Sequence, residues 1–333
     1  MFFIKENDNP NFFIKLFNII KMEGNVIILP LNENSMQKFK AQLIFSFLLS
    51  KKSSERKIEK IAKKTKNIIE KNSISKKVIV SKKLKNQITY INYLNQYGLK
   101  IQDGKILFEI LIPQVVNFIV ERVIKRSEIN YNKNIKNTDK INKMSNVDKQ
   151  NIININEIYR KKLNISILVN DVDEYIFENI KILALKYYKV NVVSNHPEKF
   201  NMLENKILEK NGVILTTINN KRKSLINSNL IINVDFPSEL LNKYLINDEA
   251  IIVNIKNNAT VKAKRFNGVV INDYEIIFKD CNLLKENVDE KFYYKDIYES
   301  KLYKNQNFIE INKNLLRDNV SILYLNTIHG KIC

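Results

Sequence analysis

The sequence has no tryptophan and is short of cysteine, histidine, proline and glycine. It has two cysteines, two histidines, five prolines and six glycines among 333 residues. Cys281 and Cys333 lie far apart in the chain, so no disulfide framework is indicated. Two histidines supply little material for a histidine-based metal centre, and no Ser/His/Asp or Cys/His arrangement stands out. We therefore expect no metal site, and the sequence assigns no catalytic residue.

Long apolar runs are also missing. No stretch approaches 18 uninterrupted apolar residues, the length from which a membrane-spanning helix would be expected. The first residues, MFFIKENDNPNFFIKLF, are broken by charges and a proline and do not read as a signal peptide. We therefore expect a cytoplasmic protein without a membrane partner. The oligomeric state cannot be read from these features.

Acidic side chains are outnumbered, and the formal net charge is +20. Basic surfaces attract nucleic acid. However, only seven of the 55 basic residues are arginines, whereas phosphate recognition also favours the arginine fork. Abundant Lys, Asn and Ile with scarce Gly, Pro and Trp indicate an AT-rich genome. We expect solvated lysines rather than a nucleic-acid partner, with the lysine-rich helix at 54–71 as the alternative.

Two stretches rich in helix and strand patterns are separated by a polar one. Residues 1–126 alternate apolar runs such as NVIILPL and KKVIVSK with helical patterns, which predicts an N-terminal α/β domain. Within it, ILFEILIPQVVNFIVERVIKR predicts a long apolar helix broken near Pro113. Residues 127–160 are polar and repetitive, which predicts a linker.

From Asn164 the pattern becomes regular. Runs of Val and Ile alternate with helical segments through residues 161–280, which predicts a doubly wound, mostly parallel sheet covered on both faces. PEKFNMLENKILEKNG carries Pro197 at its start and Gly212 at its end, the usual asymmetry of a helix. PSELLNKYLI is also predicted as a helix. The extension 281–333 ends in VSILYLNTIHGKI, which predicts a strand that returns to one of the domains.

The segment from Asn164 to Phe278 resembles the nucleotide-binding domain of the shikimate dehydrogenase and glutamyl-tRNA reductase group. SNLIINVDFPSEL is similar to the DLIINATP segment of that group: Asn233 matches the asparagine, while Asp235 stands in place of the threonine. VVSNHPEK resembles its NRTxxK segment, with Asn195 matching, His196 replacing the arginine and Lys199 one position short. The resemblance implies a Rossmann-like fold and NADP as the cofactor, if one is bound.

The first turn departs most from that group. The group expects a glycine-rich turn after the first strand so that the backbone can approach a pyrophosphate, but this chain has VNDVDEY. Asp171 with Glu174 three residues later predicts a capping box at the start of the next helix. These carboxylates neutralise the positive helix end and repel phosphate, although they would suit a cation or an amine.

Seven residues at the expected carboxyl edge of the sheet are the candidate ligand-binding residues: Asn170, Asp171, Asn195, His196, Lys199, Asn233 and Asp235. NNKRK at 219–223 adds positive charge to the same expected edge. Asn32 and Lys38 in NENSMQK match the spacing of the substrate-domain asparagine and lysine of the resembled group, but chance explains this match. His329 is expected at a turn.

Three functional hypotheses follow. The first is a degenerate dehydrogenase-like protein with a non-catalytic, ligand-binding or regulatory role, holding a small molecule or nucleotide in an interdomain cleft. The second is an active NAD(P)-dependent oxidoreductase with a nonstandard phosphate-binding turn, using Asn195, His196 and Lys199 for NADP. The third is a basic nucleic-acid-associated protein.

Overall fold

The computed structural model describes ten segments of the chain: residues 1–7, 19–30, 47–73, 76–124, 163–187, 189–219, 224–279, 290–302, 306–327 and 330–333. The expected linker at 127–160, the pair Asn32 and Lys38, and His329 lie outside these residues. The charged part of NNKRK, residues 220–223, lies outside them too.

The described strands, in chain order, are β1 Phe2–Glu6, β2 Lys21–Glu23, β3 Val26–Leu29, β4 Lys77–Val80, β5 Lys100–Ile101, β6 Asn164–Leu168, β7 Lys189–Ser194, β8 Thr216–Asn219, β9 Ser224–Leu225, β10 Leu230–Asn233, β11 Leu245–Ile246, β12 Ile251–Asn254, β13 Val269–Ile277, β14 Ser321–Thr327 and β15 Gly330–Ile332. The described α-helices are α1 Phe47–Asn72, α2 Lys82–Lys85, α3 Ile88–Gln96, α4 Lys105–Ile110, α5 Ile112–Ile119, α6 Glu174–Lys186, α7 Asn201–Asn211, α8 Ser238–Leu241, α9 Tyr294–Ser300 and α10 Phe308–Arg317. A π-helical turn covers Val120–Ile124, and a 3-10 turn covers Pro197–Phe200.

The chain divides into two compact units. The first consists of Met1–Gly104 with Asp280–Asn305, and the second of Lys105–Lys279 with Gln306–Cys333. The sequence pattern had grouped α4 and α5 with the N-terminal region, whereas their contacts place them in the second unit. As the sequence predicted, the apolar stretch is broken near Pro113: Leu111 separates α4 from α5, and the proline lies in the first turn of α5.

The first unit is built on a sheet in the order β2-β3-β1-β4-β5. Its central strand, β1, pairs in parallel with both β3 and β4. The sequence pattern predicted no strand here, because FFIKE is short and is followed at once by charges and a proline. Phe2 and Ile4 are buried in the core of this unit, together with Ile27 of β3 and Val78 of β4. Burial of these apolar side chains stabilises the sheet.

Helix α1 confirms the amphipathic pattern read from the sequence. Ile61 and Ile69 are buried in the core of the first unit, while lysines such as Lys60 and Lys63 are exposed. Thr65 is fully buried on the same face, and its hydroxyl donates to the Ile61 carbonyl oxygen at 2.9 Å. The helix therefore covers the sheet with one face and presents a basic face to solvent.

The second unit confirms the α/β fold predicted from the sequence. Its main sheet has the order β15-β14-β13-β12-β10-β6-β7-β8, and the strands from β8 to β13 are parallel. Strands β9 and β11 form a separate two-stranded sheet. When only the strands of the main sheet are numbered along the chain from β6, its parallel part has the 3-2-1-4-5-6 order of the Rossmann fold, with the switch point between β6 and β10. Strands β10 and β12 are buried at every residue, as expected for strands covered on both faces. The C-terminal β14 pairs antiparallel with β13 and returns the chain to this sheet.

One predicted helix is much shorter than expected. PSELLNKYLI forms only the four residues of α8, and the chain then enters β11. Asn242 explains the stop: its side-chain amide donates to the carbonyl oxygens of Ser238 and Thr260, both at 2.7 Å, and its Oδ1 accepts from the Lys262 amide. These bonds tie the helix end to the loop after β12 and replace a further helical turn.

Helix α7 ends as predicted, since Gly212 adopts the left-handed conformation with φ of 64°. None of the helices in the described segments is long and apolar enough to cross a membrane.

Candidate functional site

The carboxyl ends of β6, β7, β10 and β12 meet at one edge of the second unit's sheet. Ligands of open α/β sheets bind outside this edge, at the point where the strand order reverses. Asn170 and Asp171 follow β6, Asn195 follows β7, and Asp235 follows β10. The parallel sheet therefore brings four of the seven predicted residues to one place, although they lie up to 65 positions apart in the sequence.

Asp235 is hydrogen-bonded to the backbone of the first turn. Its carboxylate accepts the amide of Asn170 at 2.9 Å and 3.1 Å, and the amide of Asp171 at 2.7 Å. Burial raises the pKa of Asp235, and the two backbone hydrogen bonds and the nearby Lys256 only partly oppose this rise. The Asp235 carboxylate, which follows β10, thus binds the turn after β6 and joins the two sides of the switch point.

Asn170 extends this connection to the next strand. Its side-chain oxygen accepts the backbone amide of Asn195 at 3.2 Å, immediately after β7. The ends of β10, β6 and β7 are therefore linked by the hydrogen-bond series from Asp235 through Asn170 to Asn195. These bonds hold the turn in place without a ligand.

Asn233 is fully buried and serves the sheet itself. Its amide group donates to the Phe236 carbonyl oxygen at 3.0 Å and to Asn254 Oδ1 at 2.8 Å, while its Oδ1 accepts from the Phe236 amide at 2.9 Å. Asn254 in turn donates to Asn272 Oδ1 at 2.7 Å. Both donors and the oxygen of Asn233 make hydrogen bonds inside the protein, and the side chain is fully buried, so it is not exposed to a ligand.

His196 and Lys199 do not join the first turn. The exposed His196 ring lies 3.3 Å from Glu198 Oε1, and its backbone amide donates to Ser194 Oγ. Lys199 belongs to the 3-10 turn and lines a groove between α6 and α7. In the described part of the chain, no hydrogen bond or ion pair connects either side chain with Asn170, Asp171 or Asp235.

The predicted capping box is wrong by two residues. The N-cap of α6 is Asp173, whose Oδ1 accepts the Ile176 amide at 3.0 Å. Asp171 lies two residues before this N-cap, and its backbone amide, which Glu174 would accept in a capping box, donates to Asp235 instead. The helix end is nevertheless capped by a carboxylate, as the acidic turn indicated.

A second cluster was missed by sequence reasoning. Lys256, just after β12, lies with its Nζ 3.2 Å from Glu109 Oε1 and 3.5 Å from Asp173 Oδ2. Glu109 projects from the apolar helix α4 and is only 4% exposed, and its backbone oxygen accepts from Asn179 of α6. The available signal was one glutamate inside the apolar run ILFEILIP. Its partners could not be identified because they lie 64 and 147 positions away.

The electrostatics of this cluster are unusual. Burial, and after it the neighbouring Asp173, raise the pKa of Glu109, and although Lys256 partly opposes them the pKa reaches about 8. Burial lowers the pKa of Lys256, but Glu109 and Asp173 outweigh this effect, so the net pKa of the lysine is raised. Glu109 therefore holds its proton over part of the neutral range, while Lys256 stays charged.

The residues at the switch point do not fit a dinucleotide phosphate. The backbone amides of the turn already bind the Asp235 carboxylate, the end of α6 is capped by Asp173, and Asp171 is exposed beside them. A phosphate brought to about 6 Å from one of these carboxylates would meet about 1 kcal/mol of repulsion at an intermediate dielectric. Among the described residues, no group of three or more His, Cys, Asp or Glu side chains is placed to hold a metal ion.

No family model matches the chain, and no curated protein matches it. Among solved structures, the chain is similar to the NAD-complexed form of D-isomer specific 2-hydroxyacid dehydrogenase from Lactobacillus delbrueckii ssp. bulgaricus. The two share 11% sequence identity with a TM-score of 0.27, over 79% of this chain and 73% of that chain. At this TM-score the similarity says nothing about function, and the strand order carries the fold assignment.

Proposed function

We propose that this chain is a degenerate dehydrogenase-like Rossmann protein with a non-catalytic, ligand-binding or regulatory role. One observation carries the proposal: the Asp235 carboxylate accepts hydrogen bonds from the backbone amides of Asn170 and Asp171. In Rossmann dinucleotide-binding domains, the corresponding turn and helix end bind the pyrophosphate. Here an internal carboxylate takes the amides that a phosphate would use.

Side chains add a steric obstacle to this electrostatic one. Glycines let the backbone approach a pyrophosphate closely, whereas this turn carries Asn170 and Asp171. Any ligand at this edge would therefore be neutral or cationic, such as an amine. The same proposal accounts for the resemblance of the β10 segment to the shikimate dehydrogenase group: the chain keeps the fold of such a protein and has lost its cofactor site.

The NADP-dependent oxidoreductase is less well supported. It needs Asn195, His196 and Lys199 to act together on a phosphate. Instead, the Asn195 amide binds Asn170, and His196 has the carboxylate of Glu198 beside its ring. Lys199 lines a separate groove on the helical surface. A carboxylate next to the histidine would repel the adenosine phosphate that this reading requires.

Titration of the full chain with NADH and NADPH, followed by cofactor fluorescence and by calorimetry, tests the proposal. We expect no saturable binding in the micromolar range. Saturable micromolar binding that is weakened by His196→Ala and Lys199→Ala would overturn the proposal in favour of the oxidoreductase. A thermal-shift screen that includes amines would reveal the expected ligand class, because a ligand that binds only the folded state raises the melting temperature.

A further inference from the structure

A groove of about 440 Å³ runs between α6 and α7 on the surface of the second unit. Helix α6 contributes Phe177, Glu178 and Lys181. Residues at positions 202, 203, 206, 207, 210 and 211 form one face of α7, since they recur at helical spacing. None of these side chains takes part in the contacts at the switch point, so the groove is a separate surface.

The floor of the groove is apolar and its rim is basic. Ile207 is buried, Phe177 lies 5.8 Å from Phe200 between ring centroids, and Met202 stands 70% exposed at the side. An exposed methionine adapts its shape to a partner at low cost, which suits a recognition surface. At this exposure the Met202 side chain contributes little to the core of the unit.

Four lysines surround this floor, namely Lys181, Lys199, Lys206 and Lys210. Lys181 pairs with the single lining carboxylate, Glu178, at 3.2 Å. Across the described residues, Lys199, Lys206 and Lys210 make no ion pair with a carboxylate. Three positive charges therefore face solvent beside an apolar floor, and their natural complement carries negative charge and apolar side chains together.

The open form of the groove favours a peptide over a small molecule. Drug-sized ligands are buried over most of their surface in concave pockets. This groove lies between two neighbouring helices and is partly open to solvent, and amphipathic helices place their apolar face in grooves of this kind. Acidic residues flanking that face would reach the lysines on the rim.

We propose that the groove between α6 and α7 is a docking surface for an acidic, amphipathic segment of a partner protein. Apolar side chains of the segment pack on Phe177, Met202 and Ile207, and its carboxylates pair with Lys199, Lys206 and Lys210. This interaction is independent of the switch point, so it stands whether or not the proposed function is correct.

A labelled synthetic peptide tests the proposal, with leucines at i, i+3, i+4 and i+7 and glutamates between them. Its affinity for the full chain is measured by fluorescence anisotropy. We expect Lys206→Glu/Lys210→Glu to weaken binding about tenfold, since each reversal replaces an attraction by a repulsion. The matched control Lys60→Glu/Lys63→Glu makes the same charge change on the exposed face of α1 and should change affinity less than about twofold. Equal loss in both variants would show attraction to the net charge alone and overturn the proposal.

Two further comparisons distinguish an amphipathic peptide from other polyanions as the ligand of the groove. Met202→Ser should weaken peptide binding, whereas Leu316→Ser, at an equally exposed leucine of α10, should not. A polyglutamate peptide without leucines should bind more weakly than the amphipathic one. If polyglutamate or a single-stranded oligonucleotide binds as tightly and with the same dependence on Lys206 and Lys210, the groove recognises any polyanion and the proposed partner is wrong. Absence of peptide binding to the parent chain also overturns it.

Discussion

The carboxylate of Asp235 accepts the backbone amide of Asp171 at 2.7 Å, so two acidic residues that follow neighbouring strands meet through one hydrogen bond. The bond joins the side chain of the first residue to the main chain of the second. It places a negative charge where a Rossmann turn ordinarily offers free amides to a phosphate. The Rossmann strand order is therefore present in this protein, but the turn amides bind a carboxylate of the chain itself.

Removal of this carboxylate should create an anion site. Asp235→Ala leaves the amides of Asn170 and Asp171 without their acceptor and should cost about 1–3 kcal/mol of unfolding free energy. Phosphate or sulfate should restore part of that loss in the variant but not in the parent, since an anion can then accept the same amides. Melting temperatures with and without each anion measure this. Asp248→Ala, at an exposed carboxylate elsewhere, is the control, and an equal anion response in both variants would refute the prediction.

The N-cap assignment predicts different costs for two nearby aspartates. Asp173→Ala removes the acceptor of the Ile176 amide and should lower the free energy of unfolding by about 0.5–2 kcal/mol. Asp173→Ser should recover most of that loss, because serine also caps helices well. Asp171→Ala should have a smaller effect, because Asp171 contacts Asp235 through its backbone amide, which the substitution leaves in place. Urea unfolding of the three variants tests this. A larger loss of unfolding free energy for Asp171→Ala than for Asp173→Ala would support Asp171 as the N-cap, as predicted from the sequence.

Glu109 should make stability depend on pH. Its pKa rises from the ordinary 4.5 to about 8 in the folded chain, so the folded state keeps a proton that the unfolded chain releases in this window. The contribution of the Glu109 carboxyl group to the free energy of unfolding is fully present below pH 4.5 and is lost as the pH rises to about 8. Relative to Glu109→Gln, the parent should therefore lose stability across this window.

Urea unfolding of the parent and of Glu109→Gln at several pH values measures that difference. Asp235 shifts in the same direction, and the comparison between parent and variant removes its effect. Glu239→Gln, on the exposed side of α8, is the control and should follow the parent. Parallel stability curves for the parent and Glu109→Gln would show that Glu109 ionises normally.

The buried asparagines at the ends of β10 and β12 should be structural. Asn254 accepts from Asn233 and donates to the Ala259 carbonyl oxygen and to Asn272, so Asn254→Ala leaves several buried groups unpaired. We expect a loss of about 3 kcal/mol or more, compared with less than about 0.5 kcal/mol for Asn258→Ala at an exposed position nearby. Chemical denaturation gives both values. A small loss at Asn254 would mean that water replaces these contacts.

Much of the second unit could be predicted from the sequence because its signals are local. Runs of Val and Ile mark β6, β7, β10 and β12, and Gly212 marks the end of α7. The first unit was harder. Strand β1 is central to its sheet, yet FFIKE gives a weak signal in a lysine-rich and isoleucine-rich chain, and only its parallel pairing with β3 and β4 identifies it.

The candidate site was predicted in part. Asn170, Asp171, Asn195 and Asp235 meet at the switch point, because residues after neighbouring parallel strands share one edge of the sheet. Asn233 is the last residue of β10, and its side chain forms hydrogen bonds within the sheet rather than with the turn. Sequence position placed His196 and Lys199 after β7 but did not show their contacts: the His196 ring lies beside Glu198, and Lys199 lines the groove between α6 and α7.

The sequence by itself determined that the first turn lacks glycine and carries carboxylates, since both are statements about residue types in one short stretch. It also determined the alternation of strands and helices that predicts the parallel sheet. Only the tertiary structure decided which carboxylate takes the amides of that turn, because Asp235 follows a different strand and lies 65 positions after Asn170 in the chain. The pairing of Glu109 with Lys256 was decided in the same way, because the fold brings Lys256, 147 positions away in the sequence, to a carboxyl group in an apolar helix.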